Sequence, residues 1–137
     1  MTVFRVALVA AGVVLAQGGA QAQDTSTAVR DVIAAQVEAF RADDVDKAFG
    51  YASPMIEAMF GTPDRFGRMV RQGYPMVWRP AELSFVGMRE VEGRIYQDVL
   101  FTDQAGRSHL LEYEMVQTEA GWEINGVRFK PQSGFGA

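Results

Sequence analysis

The chain contains no cysteine and only one histidine, His109. Without cysteine there is no disulfide, no thiol nucleophile and no cysteine-ligated metal, so packing alone must stabilise the fold. With one histidine, a zinc site would need several Asp or Glu ligands close by, and the sequence offers no such cluster. We therefore expect neither a metal site nor a cofactor.

A concentrated basic segment is also absent. The 137 residues include 13 Lys and Arg against 17 Asp and Glu, which gives a formal net charge of −4 at pH 7. The basic residues are scattered along the sequence. Nucleic acids and anionic membranes are bound by concentrated basic surfaces. We therefore expect neither as a main partner, and no segment after the N-terminal region is apolar enough for membrane insertion.

The N-terminal region predicts export. Arg5 precedes an apolar run at residues 6–16, and a Gly-containing stretch then leads to Ala20, Gln21 and Ala22. This three-part pattern is typical of a secretory signal peptide that is cleaved after Ala22. The alternative, a membrane anchor, needs about 20 consecutive apolar residues, and this run is shorter. We predict a cleaved signal at 1–22, one domain at 23–129 and a flexible tail at 130–137, in a periplasmic or extracellular protein.

The order of the predicted elements is helices first and strands second. Apolar residues at i, i+3 and i+4 predict a helix that begins at Thr25 or Ser26. Shorter helices follow at 45–52 and after Ser53 and Thr62, each of which precedes a proline. Residues 74–80 are predicted to be extended because of their prolines. Period-two alternation then predicts strands at 83–91, 94–102, 107–117 and 121–129, joined as an antiparallel meander. The fold class is α+β.

Three acids, Asp43, Asp44 and Asp46, lie between the first two predicted helices. They could be metal ligands in a D-x-D arrangement or could cap the second helix. A calcium loop would continue with further oxygen ligands and a glycine at fixed spacing. Here Lys47, Ala48 and Phe49 continue as an amphipathic helix instead. We therefore interpret the acids as capping residues.

Three stretches carry a resemblance to a known family. They are "QVEAFRADDVDKAFGYASPMIEAMFGTPDRFGRMVRQGYPMVWRP", "QDVLFTD" and "GWEINGV". The chain resembles the nuclear-transport-factor-2-like superfamily and, more closely, the exported bacterial group called domain of unknown function 4864. The resemblance implies a cone, in which the N-terminal helices pack in the concave face of a curved four-stranded antiparallel sheet. It implies no activity, because superfamily members include isomerases, dehydratases, lipid carriers and binding modules.

The candidate ligand-binding residues follow from the strand register. Pairing Phe101 with His109 keeps one sheet face almost wholly apolar. The same register pairs Val99 with Leu111, Gln97 with Tyr113 and Ile95 with Met115, and sets Met88 and Val86 beside Gln97 and Val99. Gln97 and Tyr113 could hydrogen-bond to each other or to water, or could orient a ligand in a pocket. Tyr74 and Trp78 could form the rim of that pocket or fill the core.

The remaining candidate residues belong to two alternative functions, catalysis and dimer formation. His109 is the low-probability candidate for a catalytic base, since no carboxylate is expected near it on this face. The opposite face carries the ion-pair candidates Asp98 and Glu112, and on it Phe85, Leu100 and Leu110 are candidates for a homodimer interface.

The sequence thus predicts an exported, non-catalytic module that binds a small apolar or amphipathic ligand or a partner protein. One alternative is a cofactor-free isomerase or dehydratase that uses His109. Another is a structural subunit that forms dimers through the sheet.

Overall fold

The computed structural model describes the backbone of residues 18–131 and the side chains of residues 24–131. Most of the predicted signal peptide and residues 132–137 of the predicted tail lie outside the described residues. The elements are α1 (Gly18–Arg41), α2 (Val45–Phe49), α3 (Pro54–Phe60), α4 (Pro63–Gly73), α5 (Pro75–Trp78), β1 (Glu82–Val91), β2 (Arg94–Thr102), β3 (Ser108–Thr118) and β4 (Gly121–Phe129). The predicted α+β order is confirmed. None of the described helices is long and apolar enough to span a membrane.

The acids between α1 and α2 act as capping and connecting residues. The Asp44 carboxylate accepts a hydrogen bond from the backbone N–H of Lys47 at 3.1 Å. Asp43 has a φ of 56°, and its carboxylate pairs with Arg79 at 2.6 Å. No group of three or more potential metal ligands is present among the described residues. The capping interpretation is confirmed.

The starts of α3 and α4 also follow the predicted capping pattern. Ser53 and Thr62 precede proline, and their hydroxyls accept hydrogen bonds from the N–H groups of Ile56 and Arg65. The prediction for residues 74–80 was wrong, because Pro75 begins the one-turn helix α5. Proline favours the first helical position, where its fixed φ fits and its missing N–H is not needed.

The four strands form one antiparallel sheet in the order β1-β2-β3-β4. A hairpin turn at Glu92 and Gly93 joins β1 to β2, and both residues have positive φ. The predicted register between β2 and β3 is confirmed, with the pairs Phe101–His109, Val99–Leu111, Gln97–Tyr113 and Ile95–Met115. One face of the sheet packs on the helices and is here called the inner face.

A bulge in β1 corrects one prediction. Phe85 pairs with Val99 and Met88 pairs with Gln97, so the register shifts by one residue between Phe85 and Met88. Phe85 therefore lies on the inner face, where it packs against the core and beneath the Arg30 guanidinium of α1. Its predicted place on the outer face was wrong, and Val86 is exposed instead. A second bulge lies at Asn125 in β4.

The core lies between α1 and the inner face of the sheet. The α1 stripe of Val29, Ile33, Val37 and Phe40 is buried, as the helical periodicity predicted. These side chains join the buried residues of β2 and β3, among them Val99 and Leu111, in one cluster. The remaining helices cover the end of this cluster and border a cavity that is partly open to solvent.

Candidate functional site

A cavity of about 220 Å³ lies between the helices and the inner face of β3 and β4. Side chains of α1, α3, α4, α5, β3 and β4 form its wall, together with Ala52 and Tyr74. The wall is mostly apolar, and no charged residue is found among its described lining residues. Its apolar members include Phe40, Ile56, Met59, Phe60, Phe66 and Val70. This composition suits a small ligand with little charge.

Helix α3 covers the cavity without belonging to the core. None of its seven residues is buried, and Met59 is 65% exposed although it lines the cavity. The helix is fixed at its start by Ser53, which is buried, and ends at Gly61 with a φ of 77°. A short helix with so few buried contacts opens at low free energy.

Tyr113 of β3 is the main polar group of the cavity wall. Its side chain is fully buried, and its hydroxyl has no hydrogen-bond partner within the part of the chain that the structure describes. Burial, and secondarily the nearby Tyr74, raises the pKa of Tyr113 well above its ordinary value of 10.0. The phenol is therefore neutral at physiological pH and can donate or accept one hydrogen bond.

Tyr74, between α4 and α5, also lines the cavity. Its ring stacks on Phe129 with centroids 5.1 Å apart and planes 3° apart. Its hydroxyl donates to the carbonyl oxygen of Val127 at 3.3 Å. Phe129 is half exposed, so this aromatic pair lies at the surface. Tyr74 thus differs from Tyr113 in having its polar group satisfied within the protein.

The structure does not bring Gln97 to the cavity wall. Gln97 is fully buried beside Tyr113 on the sheet, and its Nε2 donates to the carbonyl oxygens of Gly87 and Asp98 at 2.9 Å each. Its Oε1 is buried without a partner among the described residues. The amide therefore stabilises the bulged region of β1, and no hydrogen bond joins it to Tyr113, which was one of the alternatives left open by the sequence.

Trp78 is a core residue rather than a rim residue. It is buried, and its ring packs on Phe40 with centroids 5.3 Å apart. The guanidinium groups of Arg71 and Arg79 lie 4.6 and 5.0 Å from its ring centroid. Of the four predicted ligand-binding residues, Tyr113 and Tyr74 line the cavity, whereas Gln97 and Trp78 do not.

Sequence reasoning missed Gln36 of α1, which is buried and lines the cavity. Its Nε2 donates to the carbonyl oxygen of Ala48 at 3.1 Å, which ties α1 to α2. A signal was present in the sequence, because Gln36 falls three residues after Ile33 and four before Phe40. A polar residue within an apolar helical stripe is a candidate for a buried polar contact.

His109 has a carboxylate neighbour that the sequence analysis did not expect. Its Nε2 lies 2.8 Å from Oδ2 of Asp103. The register contained this signal, since Asp103 follows Phe101, the partner of His109, by two positions. Asp103 also accepts hydrogen bonds from the backbone N–H groups of Ala105 and Arg107. Neither His109 nor Asp103 lines the cavity, so the pair organises the β2–β3 turn.

The outer face of the sheet is dominated by ion pairs. Glu112 is 2% exposed, and its carboxylate lies 2.7 Å from Arg89 and 2.6 Å from Arg128. Burial raises the pKa of Glu112, but the hydrogen bonds from Arg128 and Arg89 outweigh burial and leave the pKa below its ordinary value. Asp98 pairs with Lys130 at 2.8 Å. These groups neutralise one another and leave little free charge for a ligand.

The candidate dimer residues Leu100 and Leu110 pair with each other on this outer face and are half-buried. The dimer stays a prediction. Gel filtration of the Leu100→Arg variant tests it, since an unchanged elution volume would remove this interface.

A hydrogen-bonded chain connects the outer face to α3. Arg94 and Tyr96 bind the carboxylate of Glu114, whose Oε2 accepts from Nδ2 of Asn125 at 2.7 Å. Oδ1 of Asn125 accepts from the Ser53 hydroxyl, also at 2.7 Å. The bulge at Asn125 turns its side chain into this position, so the bulge connects the sheet to the helix that covers the cavity.

The chain was compared with known families and proteins. The family described as Domain of unknown function (DUF4864) matches residues 22–137. The chain belongs to this family. No curated protein matches the chain. The DUF4864 match spans every element of the cavity wall, but the family description assigns no activity, so function must be argued from the cavity itself. The resemblance to the wider nuclear-transport-factor-2-like superfamily stays a prediction.

Proposed function

We propose that the protein is an exported, non-catalytic module that binds a small, mainly apolar ligand in the cavity under α3, with Tyr113 as the polar anchor. The observation that carries this proposal is the Tyr113 hydroxyl, which is fully buried in a residue of the cavity wall and has no partner among the described residues. A buried polar group without a hydrogen bond costs about 1–3 kcal/mol. A ligand that supplies the missing bond removes this cost.

The cavity wall supports binding rather than catalysis. His109, the candidate catalytic base named from the sequence, pairs with Asp103, and neither residue lines the cavity. Tyr113 itself is held in its neutral form by burial. A cofactor-free isomerase or dehydratase needs a base in contact with its substrate, and no carboxylate or histidine is found among the described residues that line the cavity.

Export is the second part of the proposal and rests on the pattern of residues 1–22. Cleavage after Ala22 would shorten α1 to a helix that starts at Gln23. The first buried residue of α1 among the described side chains is Val29. The core contacts made by the described side chains of α1 therefore lie downstream of the proposed cleavage point.

Native mass spectrometry of the protein purified from the export compartment tests both parts. We expect a chain that begins at Gln23 and carries a bound small molecule, which solvent extraction releases. The Val127→Phe variant narrows the cavity and should lose the bound mass, because Val127 lines the wall. Val116→Phe is the matched control, since Val116 is also half-buried in the sheet but does not line the cavity. A chain that is empty in every preparation and that takes up no added apolar compound would contradict the binding proposal.

A further inference from the structure

The chemistry of the cavity wall specifies the class of ligand. We propose that the cavity takes a compact, uncharged ring compound that carries one hydrogen-bond acceptor, which Tyr113 binds. This inference rests on the proposed function and goes beyond it by naming size, charge, shape and polarity. Each of these properties follows from a separate observation.

The size follows from the cavity volume. An engineered apolar cavity of about 150 Å³ holds benzene, and the cavity under α3 has about 220 Å³. By proportion it holds about nine non-hydrogen atoms, a six-membered ring with a short substituent. A long acyl chain or a fused four-ring skeleton exceeds this volume.

The charge follows from the absence of ionised side chains among the described lining residues. An ionised ligand would lose its hydration on entry and would meet no counter-ion, at a cost of several kcal/mol or more. The charges of Glu112, Arg89 and Arg128 lie on the outer face of the sheet, where Glu112 binds both arginines. A neutral molecule is therefore favoured over a carboxylate or an ammonium compound of equal size.

The ring follows from the aromatic side chains of the wall. The ring centroid of Phe66 lies 5.9 Å from that of Phe40 and 5.6 Å from that of Phe60. All three residues line the cavity, as do Tyr74 and Tyr113. Aromatic rings attract one another in tilted and offset arrangements beyond simple burial of area. A ligand ring extends this cluster in a way that a flexible chain cannot.

The acceptor follows from the two tyrosines. Tyr74 already donates its hydroxyl proton to the carbonyl oxygen of Val127, whereas the Tyr113 hydroxyl has no partner among the described residues. A phenol is a stronger donor than acceptor, because its oxygen lone pair is shared with the ring. The group that completes Tyr113 is therefore an acceptor such as a ketone, aldehyde or ether oxygen.

Three probes of nearly equal shape test the inference: acetophenone, α-methylstyrene and benzoate. Acetophenone has a carbonyl oxygen where α-methylstyrene has a CH₂ group, and benzoate has a carboxylate. Dissociation constants are measured by NMR titration of the ¹⁵N-labelled protein after its native ligand has been extracted. The same titrations are made with Tyr113→Phe, which removes only the hydroxyl, and with Tyr74→Phe as a matched control.

We expect acetophenone and α-methylstyrene to bind the wild-type protein, and benzoate to bind at least about tenfold more weakly than acetophenone. The Tyr113→Phe substitution should weaken the binding of acetophenone by roughly 3- to 10-fold more than it weakens the binding of α-methylstyrene. This is the range for one neutral hydrogen bond. Tyr74→Phe should leave the ratio of the two affinities unchanged. This cycle isolates the hydroxyl–carbonyl interaction from general effects on the cavity.

The possible failures are distinguishable. If neither neutral probe binds, the proposed cavity function fails and the inference fails with it. If both bind but Tyr113→Phe leaves their affinity ratio unchanged, the cavity function stands and the role of Tyr113 is overturned. If benzoate binds as tightly as acetophenone, the requirement for an uncharged ligand is overturned. A thermal unfolding curve for each variant shows whether a loss of binding reflects a loss of fold.

Discussion

Gln97 and Tyr113 are directly paired on β2 and β3, but no hydrogen bond joins their side chains. Gln97 donates instead to two backbone carbonyls near the β1 bulge. Tyr113 lines the cavity, and its buried hydroxyl has no partner in the described part of the chain. The fold thus leaves one buried donor without a hydrogen bond, and under the proposed function an acceptor on the ligand supplies that bond.

The first prediction concerns the stability of the ligand-free protein. Tyr113→Phe removes a buried hydroxyl that has no partner, so we expect the free energy of unfolding in urea to be unchanged or higher by up to about 1 kcal/mol. Tyr74→Phe loses the bond to Val127 and should lower the free energy of unfolding by about 0.5–1.5 kcal/mol. A clear destabilisation by Tyr113→Phe would show that the hydroxyl has a partner in the folded protein.

The sheet was largely predictable because the alternation along each strand and the turn residues between strands can be read from short stretches of sequence. A shift of one residue between β2 and β3 would place acids on the apolar face, so the alternation favours the observed register, and Glu92-Gly93 limits the first hairpin. The β1 bulge was not predicted, although Gly87 within a strand is a signal for one. The position of the bulge within β1 depends on the packing of Phe85 beneath Arg30 of α1. This is a tertiary contact, which the local sequence pattern does not specify.

The cavity was only partly predictable. Tyr113 followed from the strand register, but the place of α3 and α4 over it depends on contacts between residues far apart in the sequence. One example is the bond from Ser53 to Asn125, 72 positions later. Trp78 is a second example, because the prolines on either side of it are compatible with a position at the rim of the pocket or in the core. In the structure the Trp78 ring packs on Phe40, which places it in the core.

The second prediction concerns the close contact between α2 and α4. A Cβ atom at Gly67 would lie 2.6 Å from Cγ1 of Val45, whereas one at Gly73 would meet no atom within 4 Å. Gly67→Ala should therefore force the two helices apart and lower the free energy of unfolding by about 1–3 kcal/mol. Gly73→Ala, in the same helix, should stabilise by about 0.5–1 kcal/mol because alanine has less backbone freedom to lose. Equal effects in urea unfolding would contradict the close contact.

The third prediction concerns acid. The pKa of Glu112 in the folded protein lies below the ordinary value of 4.5. The hydrogen bond to His109 and those from the β2–β3 turn lower the pKa of Asp103 from 3.8 to about 2. A carboxyl group with a lowered pKa in the folded state contributes stability above its ordinary pKa and loses it as the pH falls through the folded value. The midpoint of thermal unfolding should thus be steady near neutral pH and fall progressively below about pH 4.5.

Substitution of Glu112 tests the origin of this acid sensitivity. Glu112→Gln removes one ionisable carboxyl, so the fall of the unfolding midpoint with pH should become shallower. The variant should also be less stable at neutral pH, since Arg89 and Arg128 lose their anionic partner. Glu90→Gln changes an exposed glutamate of β1 and should leave the pH profile as it is. An unaltered profile in Glu112→Gln would assign the acid sensitivity to other groups.

The last prediction concerns the attachment of α3 over the cavity. The Ser53 hydroxyl accepts from the N–H of Ile56 and donates to Asn125, so Ser53→Ala removes a helix cap and leaves a buried acceptor unpaired. We expect a loss of about 1–3 kcal/mol in the free energy of unfolding. Amide hydrogen exchange in α3 should accelerate, and the bound probe should dissociate faster because the cover opens more often. Thr62→Ala is the matched control, since it removes the exposed cap of α4 alone. If both variants change α3 exchange and probe release equally, the Ser53–Asn125 bond does not hold the cover.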